Sequence, residues 1–168
     1  MKTLKLTAKD FKKSGSYWSD YIGPEIEVEF DGNIEIESNL GWVRFIRLNV
    51  KGHILAEAGT GIKAGWGIKA GWGIKAGYGI EACYGIKAGY GIEAGDDIKA
   101  GYGIEAGDGI KAGWGIEAGD GIKAGDKYGI FAGLSIRVNE WSIYANVCAN
   151  SKPSNLISGN FVLNDNDK

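Results

Sequence analysis

Little in this chain of 168 residues speaks for catalysis. Its one histidine, His53, excludes a zinc site built from three histidines, and no second catalytic group is spaced to make it a general base. Two cysteines, Cys83 and Cys148, make no disulfide framework. Threonine occurs only at positions 3, 7 and 60, which excludes the flat threonine arrays of ice-binding solenoids. Lys and Arg number 19 against 21 Asp and Glu, a net charge of -2, so the basic excess of a nucleic-acid binder is missing. No apolar run is long enough for a signal peptide or a membrane span, and a cytosolic location without membrane contact is expected.

What the chain has is glycine, 29 residues of it, in strict order. From Gly61 to Asp126 one phrase repeats: Gly-Ile-(Lys or Glu)-Ala-Gly-(Trp, Tyr or Asp). Eleven isoleucines recur every six residues from Ile62 to Ile122. So short a unit cannot bury its own apolar side, and stacking units into coils is the physical remedy. Ile and Ala stand two apart and face inward, with Lys or Glu between them facing out. The glycines beside the variable residue are expected to make corners of tight or left-handed backbone.

The charges decide the coil size. With twelve residues per coil, eight of nine stacked pairs would be like-charged; with eighteen, seven of eight are opposite, and only Lys69 over Lys87 fails. Neighbouring strands lie about 4.8 Å apart and a facing pair is worth roughly 0.2–1 kcal/mol, so the sum favours eighteen. The fold expected is all-β: a three-sided parallel β-solenoid of about 18 residues per coil, capped at both ends.

Residues 1–31 read as an N-terminal cap, in which Thr7 and Asp10 bracket a short helix before Ser14-Gly15-Ser16. The solenoid is expected over 32–150, with the regular array at 61–126, and residues 151–168 form the C-terminal cap and tail. Alternation marks strands at Ile26, Val28 and Phe30 against Glu25, Glu27 and Glu29, and at Ile34, Ile36, Val43, Phe45, Leu48 and Val50. Further alternation runs through Leu134, Ile136 and Val138, then Trp141, Ile143, Ala145 and Val147. Lys127-Tyr128 adds two residues and widens one coil, and Leu156, Ile157, Phe161, Val162 and Leu163 close the apolar pattern.

Gly52-His53-Ile54-Leu55-Ala56 and the Ile-x-Ala units after it resemble polymer-forming bactofilin-type solenoids, and more generally left-handed hexapeptide-repeat proteins, over roughly residues 32–150. The first resemblance implies a self-assembling scaffold. The second implies an acyltransferase with a histidine base, a role only His53 could fill. The Gly-x-Gly corners and substantial caps differ from the open ends through which bactofilins polymerise.

Function is carried by what decorates the coils. The corner residues Trp66, Trp72, Tyr78, Tyr84, Tyr90, Tyr102 and Trp114, with Asp96, Asp108 and Asp120 among them, form the candidate partner-binding set. Rigid aromatics give a docking partner large contact area at little entropic cost, or else they stack on one another and stabilise the rod. Unpaired carboxylates at equivalent positions place these corners in water. The acids at 96, 97, 108, 120 and 126 lack calcium-solenoid spacing, Cys83 stands where the repeat has Gly, and Lys2, Lys5, Lys9, Lys12 and Lys13 make the N-terminus basic.

The expected function is therefore non-enzymatic, without catalytic residues, cofactor or metal. It is an interaction module that docks on a cytosolic protein or nucleoprotein partner, as a blocking inhibitor of the phage anti-defence (anti-CRISPR-like) type. The other class is a self-assembling scaffold, and a homodimer or homotrimer through a flat face is compatible with either.

Overall fold

The computed structural model describes residues 1–24, 27–137 and 139–164. The expectations for Glu25, Ile26 and Val138 lie outside them. The chain is a parallel β-solenoid of about six coils, with three sheets that we number as faces in the order the chain meets them. Face 1 begins at Lys2–Leu6 and holds eight strands, face 2 begins at Phe11–Lys13 and holds nine, and face 3 begins at Glu27–Phe30 and holds six.

Through the array the coil is eighteen residues: Ile68 pairs with Ile86, Ile74 with Ile92 and Ile80 with Ile98. The flanking coils are longer, since Ile54 pairs with Ile74 and Ile110 with Ile130. The second of these is the widening made by Lys127-Tyr128. The same registers set Lys75 on Glu93, Lys87 on Glu105 and Lys69 on Lys87, so seven of eight outward pairs are opposite and the expected exception is the one observed.

All array isoleucines and alanines are buried, forming one column of core with Leu6, Val28, Ile34, Val43 and Leu48 above and Ile130 and Val147 below. Each buried isoleucine contributes roughly 1.5–3 kcal/mol. Three per coil arrive from three sides, which is why a unit too short to fold alone becomes stable once stacked.

The corner glycines decide between the two backbone forms expected, tight or left-handed. None in the array is left-handed; among the described residues positive φ in glycines is confined to Gly41, Gly59, Gly133 and Gly159. Glycine is required instead by close approach. A Cβ on Gly89 would collide with the carbonyl oxygen of Gly71 one coil earlier, and a Cβ on Gly107 with that of Gly89.

At the N-terminus the expected helix shrinks to one 3-10 turn, Ala8–Asp10, where the Thr7 backbone N–H donates to the Asp10 carboxylate at 2.7 Å. The chain must then turn Phe11 into the core against Tyr21 and Phe45, which forces a strand. Phe11–Lys13 pairs antiparallel with Trp18–Tyr21, forming a hairpin on the outer edge of face 2. Arg44 ties this hairpin down, donating from Nε to Asp20 at 2.6 Å.

At the other end the alternation from Leu134 to Val147 is not one strand. Gly133, at φ +80°, turns the chain outward, and a helical turn at Trp141–Tyr144 follows. Local hydrogen bonding wins there, with Ala145 N–H donating to the Trp141 carbonyl and Tyr144 N–H to Glu140. Leu134 and Ile143 are left exposed, and the strand resumes only at Asn146–Ala149. Among the described residues no helix is long and apolar enough to cross a membrane.

Candidate interaction surface

The eighteen-residue coil sorts the candidate residues into three columns. Between faces 2 and 3 stand Trp66, Tyr84, Tyr102 and Asp120. Between faces 3 and 1 stand Trp72, Tyr90, Asp108 and Asp126. Between faces 1 and 2 stand Tyr78, Asp96 and Trp114. Backbone hydrogen bonds fix each column: Tyr84 N–H donates to the Trp66 carbonyl, Tyr102 to Tyr84 and Asp120 to Tyr102. The aromatic side chains project outward, as their sharing of sites with aspartate implies.

Only the first column is a continuous ladder of rings. Trp66 and Tyr84 have centroids 5.9 Å apart, and Tyr84 and Tyr102 stack at 5.3 Å with 20° between their planes. Above them the Arg47 guanidinium lies 4.4 Å from the Trp66 ring centre. Stacking does not hide the rings: Trp66, Tyr84 and Tyr102 remain 49, 51 and 53% exposed. The same three side chains are thus both stacked on one another and exposed.

The other two columns are differently made. Trp72 has the His53 ring as its neighbour, at 6.4 Å, and Trp114 has Tyr144 of the helical turn, at 5.5 Å. Asp96 is half-buried, and burial, with Asp97 adding to it, raises its carboxyl above the ordinary range. Asp97, which replaces a repeat glycine, accepts the Gly115 backbone N–H at 2.7 Å. One flat partner cannot cover all three columns, since they stand on different edges of the rod.

The sequence reading missed aromatics outside the array. Trp18 and Trp42 lie 5.7 Å apart on face 2, and with Tyr17 and Tyr78 they border a pocket of about 570 Å³. Their signal was present as two tryptophans 24 residues apart, but the long first coil hid their alignment.

His53 is a structural neighbour: its backbone N–H donates to Asn33 Oδ1 at 3.1 Å, and its Nε2 lies 4.0 Å from Glu35. Cys83 is exposed, and burial raises the Cys148 thiol above its ordinary value. Among the described residues no three His, Cys, Asp or Glu side chains are gathered as a metal site would need. Of the basic N-terminus, Lys5 pairs with Glu35 at 3.6 Å and Lys12 lies opposite Asp20 in the hairpin.

No family model, no curated protein and no solved structure matches the chain, so its likeness rests on architecture alone: a parallel β-solenoid with a stacked aromatic edge.

Proposed function

We propose that the protein is a non-catalytic interaction module that docks on a cytosolic protein or nucleoprotein partner and blocks it, in the manner of phage anti-defence inhibitors. The observation that carries this reading is the Trp66–Tyr84–Tyr102 ladder, half-exposed and held in place by its own stacking. Binding such an edge loses little side-chain entropy, and aromatic and arginine side chains dominate the energetics of known interfaces. Small solenoids that block larger partners, such as the pentapeptide-repeat proteins that mimic DNA, offer an analogy of size and shape. Opposed charges along the faces oppose simple DNA mimicry and favour a protein surface.

A bactofilin-like scaffold is the second reading. One observation favours it: Asn160–Leu163 is the outermost strand of face 2, and Val162 and Leu163 on it are exposed. An exposed apolar edge strand is a template for another strand.

Size-exclusion chromatography with light scattering, over a range of concentration and salt, separates the two. The docking module is expected as one discrete species, unchanged by Trp66→Ala/Tyr84→Ala. Concentration-dependent growth removed by those substitutions would transfer the ladder to self-assembly and sink the inhibitor reading.

A further inference from the structure

Beside the aromatic ladder runs an open groove of roughly 760 Å³ along the outer side of face 3. It reaches from Glu29 to Lys123, and its floor is where Trp66, Tyr84 and Tyr102 are each followed by a glycine. Five strand spacings give it a length of about 24 Å, the span of about seven extended residues.

The equivalent troughs on the other faces are interrupted: face 1 is divided into smaller pockets of about 250 Å³ over Gly73 and Gly91 and about 470 Å³ over Gly91 and Gly109. On face 2 the Trp42 ring lies over Gly61 and Gly79, so close that an added Cβ would stand 2.9 and 2.7 Å from it. On face 1 Ile157 and Phe131 close over Gly129, 2.6 and 2.7 Å from such a Cβ. Gly67, Gly85 and Gly103 on face 3 meet only backbone of the next coil, as Gly73 and Gly91 do on face 1, but here Gly121 has nothing within 4 Å and the trough stays open to its lower end.

The charge pattern of this face is also exceptional. Lys69 stands directly on Lys87, the one like-charged step among the array's outward ladders. Lys87 donates to Glu105 at 2.8 Å, whereas no carboxylate pairs with Lys69 among the described residues. Arg47 also borders the upper end, paired with Glu27 at 3.2 Å and lying against the Trp66 ring. A repulsion left in an otherwise alternating ladder is relieved when an external anion lies between the two ammonium groups.

We propose that this groove binds an extended acidic segment of a protein partner, one of whose carboxylates settles between Lys69 and Lys87 while its apolar stems lie over the glycine floor. The proposal rests on the docking reading above, and adds the chemistry of what docks. A nucleic-acid strand fits less well. Glu29 and Glu105 line the same groove, so it suits carboxylates spaced apart by apolar residues, whereas a nucleic-acid strand brings a charge on every unit and no apolar stem for the glycine floor.

The test is an NMR titration of the ¹⁵N-labelled full chain with a blocked heptapeptide alternating glutamate and leucine. Its lysine–leucine counterpart and an oligothymidylate of matched charge serve as comparisons. Saturable shifts are expected at the Gly67, Gly85 and Gly103 amides, with affinity falling at least about tenfold in Lys69→Glu. That substitution turns the like-charged step into an opposite pair, so loss of binding cannot be blamed on unfolding. Shifts that are absent, spread over all three faces, undiminished in Lys69→Glu, or equalled by the oligonucleotide would overturn the proposal. The docking reading fails separately, on the light scattering of Trp66→Ala/Tyr84→Ala, in which Lys69 plays no part.

Discussion

Lys87 donates from Nζ to the Glu105 carboxylate across 2.8 Å, although the two residues stand 18 apart in the chain. The hydrogen bond from Lys87 holds the Glu105 carboxyl below its ordinary range, and Lys123 on the far side adds to the effect. Lys75 and Glu93 repeat the relationship on face 1 at 2.8 Å. These pairs are largely exposed, so each is worth little alone, and their value lies in agreement along the rod.

Glu105→Lys would stack four lysines, at 69, 87, 105 and 123, on one face. We expect a loss of about 1 kcal/mol in urea unfolding at low salt, shrinking at high salt. Lys69→Glu should move stability the other way. An equal effect of both substitutions, or none from either, would remove the charge ladder as a determinant of coil register.

Two alanine substitutions separate the corner glycines by mechanism. Gly89→Ala drives a methyl into the Gly71 carbonyl and should destabilise by several times the roughly 1 kcal/mol typical of a single change. Gly121→Ala meets nothing within 4 Å and should be neutral, or stabilising by about 0.4–1 kcal/mol through the unfolded chain. Thermal melts of the two would disprove the close-approach account if they shifted alike.

Tyr84 is the middle ring of its ladder, between Trp66 and Tyr102. Tyr84→Ala breaks two ring contacts at about 0.5–1.5 kcal/mol each, whereas Tyr90→Ala on the next column should cost less. Equal denaturation midpoints for the two variants would show that the stacking contributes nothing to the rod.

Two aspartates should respond oppositely to pH. Burial raises the Asp96 carboxyl in the folded chain, so the unfolded chain gives up that proton more readily and stability is lost as pH rises through the folded value. Asp96→Asn should therefore raise the melting temperature at neutral pH, with no gain below the ordinary carboxylate range. The Arg44 hydrogen bond lowers the Asp20 carboxyl. Its contribution is present above the ordinary value and lost as pH falls through the depressed one, so Asp20→Asn should destabilise at neutral pH and not in strong acid. Melts of both variants from pH 2 to 8 check the two signs together.

The array was legible because each residue's fate there depends on its position in a six-residue phrase. Lys63 and Glu81 needed only counting to be placed on one another, and their contact is present at 2.5 Å. The ends were not legible, because position no longer decides. Phe11 could continue a helix or enter the core, and the hairpin with Tyr21 decides for the core. Trp141 and Ile143 alternate like strand residues, yet the turn opened by Gly133 leaves them no neighbouring strand to join. The groove on face 3 was equally hidden. Its openness is a statement about Trp42, which covers glycines of two later coils on face 2 and has no counterpart on face 3.

The eighteen-residue coil has a consequence for how such a chain can change length. Inserting one six-residue phrase would leave the core undisturbed, since isoleucine would still follow isoleucine. Everything after it would nevertheless turn by a third of a revolution, and the Phe11–Tyr21 hairpin and the Trp141–Tyr144 excursion, now both leading into face 2, would fall out of phase. Three phrases inserted together lengthen the rod by about 4.8 Å and restore the phase. A gene for this protein can therefore drift in length only by multiples of fifty-four nucleotides if both ends are to address the same side of a partner.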